Sequence, residues 1–134
     1  MRYLLDTNML IYWMKDTPQV MAQITSHSVK NLSASVISKA ELFYGAYHSH
    51  FPDKNIEAVK KIARTIPFLP LDDAALEYFG KIKADLQRRG NFIDDCDIFI
   101  AATALSQNST VVTNNVKHFS RIKGLEIENW MEIR

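Results

Sequence analysis

Near its start the chain reads Arg2-Tyr3-Leu4-Leu5-Asp6-Thr7-Asn8, an apolar run that gives way abruptly to polar residues. Such a run is typical of a short buried strand, and either Thr7 or Asn8 is expected to cap the helix that follows it. The helical pattern continues to about Met14, and Asp16-Thr17-Pro18 then interrupts it. A buried strand that leads directly into a helix is the usual building unit of an α/β fold.

The same alternation continues along the whole chain. Further strands are predicted at Asn31–Ala34, Thr110–Thr113 and Leu125–Glu128, and Pro67–Pro70 is expected to be an extended link or a brief strand. Helices are predicted over residues 19–27, 36–47, 53–66, 72–89, 94–106 and 116–119. No linker, repeat or low-complexity stretch divides them, so we expect residues 1–134 to form one domain, a parallel α/β sandwich.

Two of these helices carry apolar stripes that are expected to be buried. The stripe on the helix capped by Ser35 consists of Val36, Ile37, Ala40, Phe43, Tyr44 and Tyr47. The stripe on the helix opened by Asp72 consists of Leu76, Phe79, Ile82 and Leu86. Gly90 follows this second helix, where a left-handed cap residue is expected.

Composition excludes several classes of protein. The chain has 134 residues, 47% hydrophobic and 23% charged, which is the balance of a globular domain. Its 16 basic and 15 acidic residues give a net charge of +1, so total charge alone favours neither nucleic acid nor membrane. The single cysteine, Cys96, the absence of a signal peptide and the absence of a long apolar stretch together predict a cytoplasmic protein with no membrane partner.

Polar residues follow two of the predicted strands. Asp6 comes after the first strand, and Asn114 and Asn115 come after Thr110–Thr113. Ligands bind at the carboxyl ends of the strands in open parallel sheets, so these side chains are predicted to share one edge.

Two further acids, Glu41 and Asp97, border apolar helix positions. A carboxylate removed from water is costly unless cations or hydrogen bonds meet it, and several brought together repel each other. A divalent cation reverses that repulsion, and ligation by carboxylate oxygens suits Mg²⁺ or Mn²⁺ rather than zinc. The four histidines show no zinc-type spacing, and Cys96 has no Cys–His pattern around it.

Each of these acids also has a purely structural interpretation. Asp6 could serve only as a helix cap, and Asp94 is expected to be the cap of the helix that bears Asp97. Glu41 taken alone could be an ordinary acid at the edge of an apolar stripe. The functional interpretation depends on the three acids, on three separate elements, acting together.

Four segments, taken in order, resemble the PIN-domain nucleases and, among them, VapC-type toxins of bacterial type II toxin–antitoxin systems. They are Leu4–Asn8, Ala40-Glu41-Leu42 with Gly45, Asp97 with Ile100–Ala104, and Val112–Asn115 with His118-Phe119. The resemblance implies a PIN-like three-layer sandwich, whose central, mostly parallel sheet of four to five strands is flanked by helices. It also implies a Mg²⁺-dependent endoribonuclease, inhibited by a VapB-type antitoxin and built as a homodimer or as a hetero-oligomer with that antitoxin.

The resemblance assigns roles to individual residues. Asp6 and Asp97 match the family's principal metal ligands, and Glu41 matches its glutamate on the third helix, which would bind the ion directly or through water. Many relatives carry a fourth acid where this chain has Asn115, so that position contributes a neutral oxygen that would position water. Asp95, ranked above Asp94, is the candidate for supplying the missing charge.

Other residues are expected to contact the substrate or the partner. Thr7 and Thr113 would hydrogen-bond a ligand carboxylate or the phosphate. Basic residues near the acids are expected to contact RNA, namely Lys39, Lys117 with His118, and Arg88 with Arg89. The aromatic residues Tyr12, Trp13, Phe43, Tyr44 and Tyr47 would be either core or the surface of a dimer or of an antitoxin groove.

Three alternatives remain open from the sequence. The first is a PIN-type nuclease acting in RNA maturation or on DNA. The second is a phosphoacceptor receiver domain, although Asp6 stands alone after its strand and Lys117 lies far past the late strand. The third is a non-catalytic interaction protein with a vestigial acidic pocket, which the amide at Asn115 would allow.

Overall fold

The structure, a computed structural model, describes residues 1–132 and contains a five-stranded sheet in the order β3-β2-β1-β4-β5. The strands are β1 Tyr3–Leu5, β2 Leu32–Ser35, β3 Phe68–Leu69, β4 Thr110–Val112 and β5 Ile127–Glu128. All neighbouring strands are parallel, which confirms the predicted sheet. Residues 133 and 134, the last two of the predicted domain, lie outside the described residues.

Seven α-helices connect these strands within residues 1–132. They are α1 Thr7–Met14, α2 Pro18–Ser26, α3 Val36–Tyr47, α4 Pro52–Thr65, α5 Asp73–Arg88, α6 Asp95–Ser106 and α7 Val116–Phe119. Ser35 caps α3 by accepting from the amide of Ile37, and Asp72 caps α5 by accepting from the amide of Ala75. Gly90 has a φ of 69°, as its place after α5 predicted.

Two hydrophobic cores lie on opposite faces of the sheet. Successive side chains of a strand point to opposite faces, so Tyr3 and Leu5 pack against α1, α2, α3 and α4, whereas Leu4 packs against α5, α6 and α7. Trp130 is buried in the first core, where its ring stacks on His27 with the centroids 4.8 Å apart. This arrangement confirms the three-layer sandwich. No helix within residues 1–132 is long and apolar enough to cross a membrane.

The tyrosines of the α3 stripe lie at the surface, which is one of the two places that the sequence left open for them. The buried residues of α3 are Ser38, Leu42 and Ala46, whereas Tyr44 and Tyr47 are 70% and 68% exposed. The helix contacts α1, α4 and α6 through its smaller side chains, and its aromatic face is therefore left in solvent.

One position of the stripe predicted on α5 is wrong. Leu76 was expected to be buried in its stripe, but it is exposed, and the neighbouring Ala75 is buried in its place. Ile82 and Leu86 are buried as predicted.

The expected cap of α1 is also wrong. Asp6, rather than Thr7 or Asn8, is the last extended residue before the helix, and its Oδ1 accepts a hydrogen bond from the amide of Met9 at 2.9 Å. Thr7 is already the first helical residue. Asp6 therefore has the structural role weighed for it from the sequence, and this does not exclude a second role.

Candidate active site

The candidate site lies where the chain changes direction across the sheet. Starting from β1 at the centre, the chain builds β2 and β3 on one side and then β4 and β5 on the other. Leu5 is paired in register with Val112, and the amide of Asp6 donates to the carbonyl of Val112 at 3.0 Å. Asp6 and the residues after β4 therefore share the crevice at the carboxyl edge, as the two strand ends predicted.

Asp6 is the most deeply buried acid of this crevice, with only 5% of its surface exposed. Burial raises the pKa of Asp6 from an ordinary value of 3.8 to about 6. The Thr113 hydroxyl and the Met9 amide oppose this increase by hydrogen bonding to the carboxylate, and the charges of Asp97 and Glu41 add to it. The three acids are thus close enough for their charges to act on one another.

Glu41 is held in place by α1. The hydroxyl of Thr7, in the first turn of that helix, donates to Oε1 of Glu41 at 2.7 Å. The same hydroxyl is hydrogen-bonded to Ser38, one turn before Glu41 on α3, at 2.9 Å. The predicted contact between Thr7 and an acid of the site is therefore present, and it fixes Glu41 beside Asp6.

Asp97 approaches from the first turn of α6. It is half-buried, and burial raises its pKa, with further increases from the charges of Asp94 and Glu41 and an opposing decrease from His118. A buried hydrogen bond between Ser35 and Thr103, 3.0 Å long, joins α6 to the start of α3. This bond holds the two helices that carry Glu41 and Asp97 against each other.

Thr113 and Asn115 are the residues after β4 at the carboxyl edge of the sheet. The backbone amide of Asn115 donates to Oγ1 of Thr113 at 2.8 Å, and its side-chain nitrogen donates to Nδ1 of His118 at 2.8 Å. With its nitrogen bound in this way, the carboxamide of Asn115 leaves its oxygen as the remaining acceptor.

Asp94 and Asp95 lie at the start of α6. Asp94 is at the N-cap position, as predicted, although its side chain makes no capping hydrogen bond. Its charge acts on Asp97, whereas both carboxylate oxygens of Asp95 lie within 3.2 Å of the Lys83 ammonium. The structure therefore favours Asp94 over Asp95 as an additional charge near the site.

The basic residues proposed for RNA lie at different places. Lys39 points its ammonium over the ring of Phe68, 5.8 Å from the centroid, and Lys117 is exposed on α7. Arg89 pairs with Asp85 at 2.6 Å, and Arg88 lies 4.0 Å from the same carboxylate. Cys96 is partly buried, and burial together with the surrounding acids raises the pKa of its thiol, which disfavours a nucleophilic role.

Ser38 is the residue of this site that the sequence did not indicate, although it lies one helical turn before Glu41. The sequence predicts His118 as an RNA contact and Asp94 as a helix cap, and their approach to Asn115 and Asp97 has no local signal.

The donor set determines which ion the site fits. Within residues 1–132, no three histidine, cysteine, aspartate or glutamate side chains converge tightly enough to form a ready-made metal cage. The acids nevertheless act on one another through their charges, and their donors are all oxygens. An open oxygen set suits a hard cation that keeps several of its waters, as Mg²⁺ does.

Comparison with known proteins identifies a family. A model of the PIN domain family matches residues 3–125 of the chain. Ribonuclease VapC2 of Haemophilus influenzae is 35% identical over 131 residues, covering 98% of this chain and 99% of that protein. The tRNA(fMet)-specific endonuclease VapC of Salmonella typhimurium is 34% identical over 130 residues, covering 97% and 98% respectively.

Solved structures are similar over the same length. VapBC-1 from nontypeable Haemophilus influenzae superposes with a TM-score of 0.88 at 34% identity, covering 98% of this chain and 100% of that chain. DNA-bound VapBC from Salmonella typhimurium superposes with a TM-score of 0.91 at 34% identity, covering 97% and 98%.

Proposed function

The chain belongs to the PIN domain family, and from this we propose that it is a metal-dependent endoribonuclease toxin of the cytoplasm that a VapB-type antitoxin neutralises. Two of its relatives are named ribonuclease or endonuclease, and two of its structural neighbours are VapBC complexes. Family membership argues against the receiver-domain alternative. A PIN nuclease acting in RNA maturation is the second candidate, favoured only by the fold that both would share.

One observation carries this proposal: the charges of Asp6, Glu41 and Asp97 act on one another at the topological switch point of the sheet, although the three acids come from separate elements. Burial raises the pKa of Asp6 to about 6, which reflects how strongly the metal-free site disfavours its negative charge. If Asp6 served only as the cap of α1, two more carboxylates near it would repel its charge without any benefit to the helix.

A divalent cation fits this donor set. Asp6 and Asp97 would hold Mg²⁺, or Mn²⁺ in its place, with Glu41 binding directly or through water. When bound, such an ion orients and acidifies a water molecule and offsets the charge that develops on the departing oxygen of a phosphodiester.

The protein residues then have separate tasks. Thr7 holds the Glu41 carboxylate in position through its 2.7 Å hydrogen bond, and Thr113 stabilises the ionised form of Asp6. Asn115, oriented by His118, presents its oxygen to a water or to the phosphate. Lys39 and Lys117 are proposed to contact RNA at the margin of the site, and Asp94 rather than Asp95 adds negative charge near Asp97.

The proposal is tested by cleavage of RNA by the purified chain. We expect cleavage at discrete positions with Mg²⁺ and none with excess chelator, and cleavage should return when Mg²⁺ is restored. Initiator tRNA is the first substrate to test, beside an elongator tRNA, because one relative is named for it. A folded chain that cleaves no RNA under induced expression or in purified form would favour the interaction-protein alternative.

The antitoxin surface is proposed on the first helices and the Glu41 helix. A groove of about 520 Å³ lies between α1, α3 and α4, with Glu41 on its border. Its lining includes Ile11, Met14, Leu42, Ala46 and Val59. An apolar groove that leads to the site suits an amphipathic segment, which would cover Glu41 as it binds.

Gly45 offers a test of this groove. It lies one turn after Glu41, and a Cβ added there would meet no atom within 4 Å, so Gly45→Leu extends into the groove without internal clash. We expect this change to weaken binding of the protein encoded by the neighbouring reading frame about 5- to 150-fold, since overfilling a packed contact costs about 1–3 kcal/mol. Calorimetric titration measures the affinity.

Gly80→Leu is the matched control, because Gly80 is also helical, exposed and free of neighbours within 4 Å, but it lies on α5 outside the groove. Equal affinity of the two variants would contradict the assignment of the groove.

The aromatic face of α3, with Tyr44 and Tyr47 in solvent, is separately proposed as the homodimer surface, because exposed apolar faces mark protein contacts.

A further inference from the structure

The positive charge of the chain is concentrated in two segments that the fold brings together. Residues 81–89 and 117–123 contain seven lysines and arginines and one acid, Asp85, so their formal charge is +6. The whole chain carries +1, which leaves −5 for all other residues. The near-neutral total therefore conceals a strongly basic region and an acidic remainder.

Direct contacts join the two segments. The guanidinium of Arg89 donates to the carbonyl of Arg121 at 2.6 Å, and the Lys123 ammonium lies 3.5 Å from the Asp85 carboxylate. Asp85 is shared among Arg88, Arg89 and Lys123, so one negative charge faces three positive ones. We call this surface, residues 81–89 with 117–123, the α5–α7 basic face.

The basic face adjoins the carboxylate site at two points. Lys83 pairs with Asp95, two residues before Asp97 on α6. On the other side, His118 is hydrogen-bonded to Asn115 at 2.8 Å, and the amide of Arg121, in the turn after α7, donates to the carbonyl of His118 at 3.2 Å. The face thus extends from the margin of the site, at Lys83 and His118, to Lys81 and Lys123, which lie near Leu105 toward the other end of α6.

An exposed aromatic residue follows the α5 part of the basic face in the chain. Phe92 belongs to the connection between α5 and α6, two residues before Asp94, and it is 71% exposed. An aromatic ring in solvent is a platform on which an unpaired base can stack, and such stacking tolerates any base. Two lysines of the face also lie over aromatic rings, Lys81 over Tyr78 and Lys83 over Phe79.

We infer that the α5–α7 basic face, together with Phe92, binds the phosphate backbone and one unpaired base of a single-stranded RNA segment and leads it to the carboxylate site. This inference rests on the proposed function and names residues that would bind its substrate. The part of the RNA affinity that comes from phosphate contacts decreases as the salt concentration increases. The part that comes from stacking of a base on Phe92 depends little on the salt concentration.

The test is the binding of a short fluorescein-labelled oligoadenylate, measured by fluorescence anisotropy in excess chelator at several salt concentrations. We expect Lys81→Ala with Lys123→Ala to weaken binding several-fold and to lower the slope of log Kd against log salt by about 0.7 for each phosphate contact removed. Phe92→Ala should weaken binding about tenfold while leaving that slope unchanged.

Each variant has a matched control on another surface. Lys60→Ala with Lys61→Ala removes two exposed lysines of α4, and Phe51→Ala removes a phenylalanine that is 70% exposed. The controls should bind like the parent chain. Affinities and salt slopes that are equal in all variants and controls would overturn the inference.

Two further outcomes are decisive. If a poly-glutamate of similar charge binds as tightly as the RNA and Phe92→Ala has no effect, the face is an acidic-peptide surface and the inference is wrong. Because binding is measured without Mg²⁺, a chain that binds RNA here but never cleaves it overturns the proposed function alone. A chain that cleaves RNA while its face variants bind normally overturns this inference alone.

Discussion

Replacing Asp97 by Asn is expected to reduce RNA cleavage by about a thousandfold or more while the protein remains folded. The substitution keeps the size of the side chain in the first turn of α6 but removes a charge that the cation requires. A thousandfold loss corresponds to about 4 kcal/mol of lost transition-state stabilisation, which is within the several kcal/mol that a bound cation supplies. The initial rate of cleavage in Mg²⁺ measures this effect.

Asp73→Asn provides the matched control, since Asp73 also lies in the first turn of a helix but is exposed and far along the chain from the site. Its cleavage rate should stay within about twofold of the parent rate, because a surface acid near a helix start contributes only about 0.3–1 kcal/mol to stability. Undiminished, Mg²⁺-dependent cleavage by a folded Asp97→Asn protein would remove Asp97 from the proposed site.

In the absence of metal, Asp6→Asn is expected to stabilise the protein by about 3 kcal/mol near neutral pH. Because the folded-state pKa of Asp6 is raised to about 6 from an ordinary 3.8, its protonation favours folding. That contribution is complete below about pH 4 and is lost as the pH rises through about 6. The stability difference between variant and parent should therefore be small in acid and grow across this interval.

Asn retains the cap of α1, because its side-chain oxygen can accept from the Met9 amide as Asp6 does. Asp72→Asn at the exposed cap of α5 is the control and should change stability by less than about 0.5 kcal/mol at any pH. Urea unfolding with chelator at a series of pH values measures the difference. A pH-independent effect of Asp6→Asn would show that burial of its charge is not the cause.

The same experiment with Mg²⁺ adds a second readout. A ligand that binds only the folded state raises its stability, so Mg²⁺ should stabilise the parent and not the Asp6→Asn variant. A variant that Mg²⁺ stabilises as much as the parent would contradict the role of Asp6 in holding the ion.

Local patterns predicted much of this structure. The apolar run before Asp6 and the β-branched run before Asn114 form adjacent parallel strands, so their polar ends meet as the fold class requires. The left-handed backbone at Gly90 and the capping by Ser35 also follow from the local sequence. These features depend on residues within a few positions of each other, where spacing and side-chain type are informative.

The orientation of α3 could not be read in this way. Its apolar residues occupy more than one face of the helix. The helical periodicity favoured burial of the aromatic face, whereas the structure buries the face with Ser38, Leu42 and Ala46. Which face turns inward depends on how closely α1, α4 and α6 approach, and that distance is a property of the packed fold.

The sequence by itself determined the order of strands and helices, the edge at which Asp6 and Asn115 lie, and the acids available there, because each follows from short-range pattern. Only the tertiary structure decided that Asp94 rather than Asp95 approaches Asp97, since Lys83 of α5 neutralises Asp95. It alone joined residues 81–89 to residues 117–123 in one basic face. These contacts link residues far apart in the chain, and packing of the helices on the sheet is what brings their charges together.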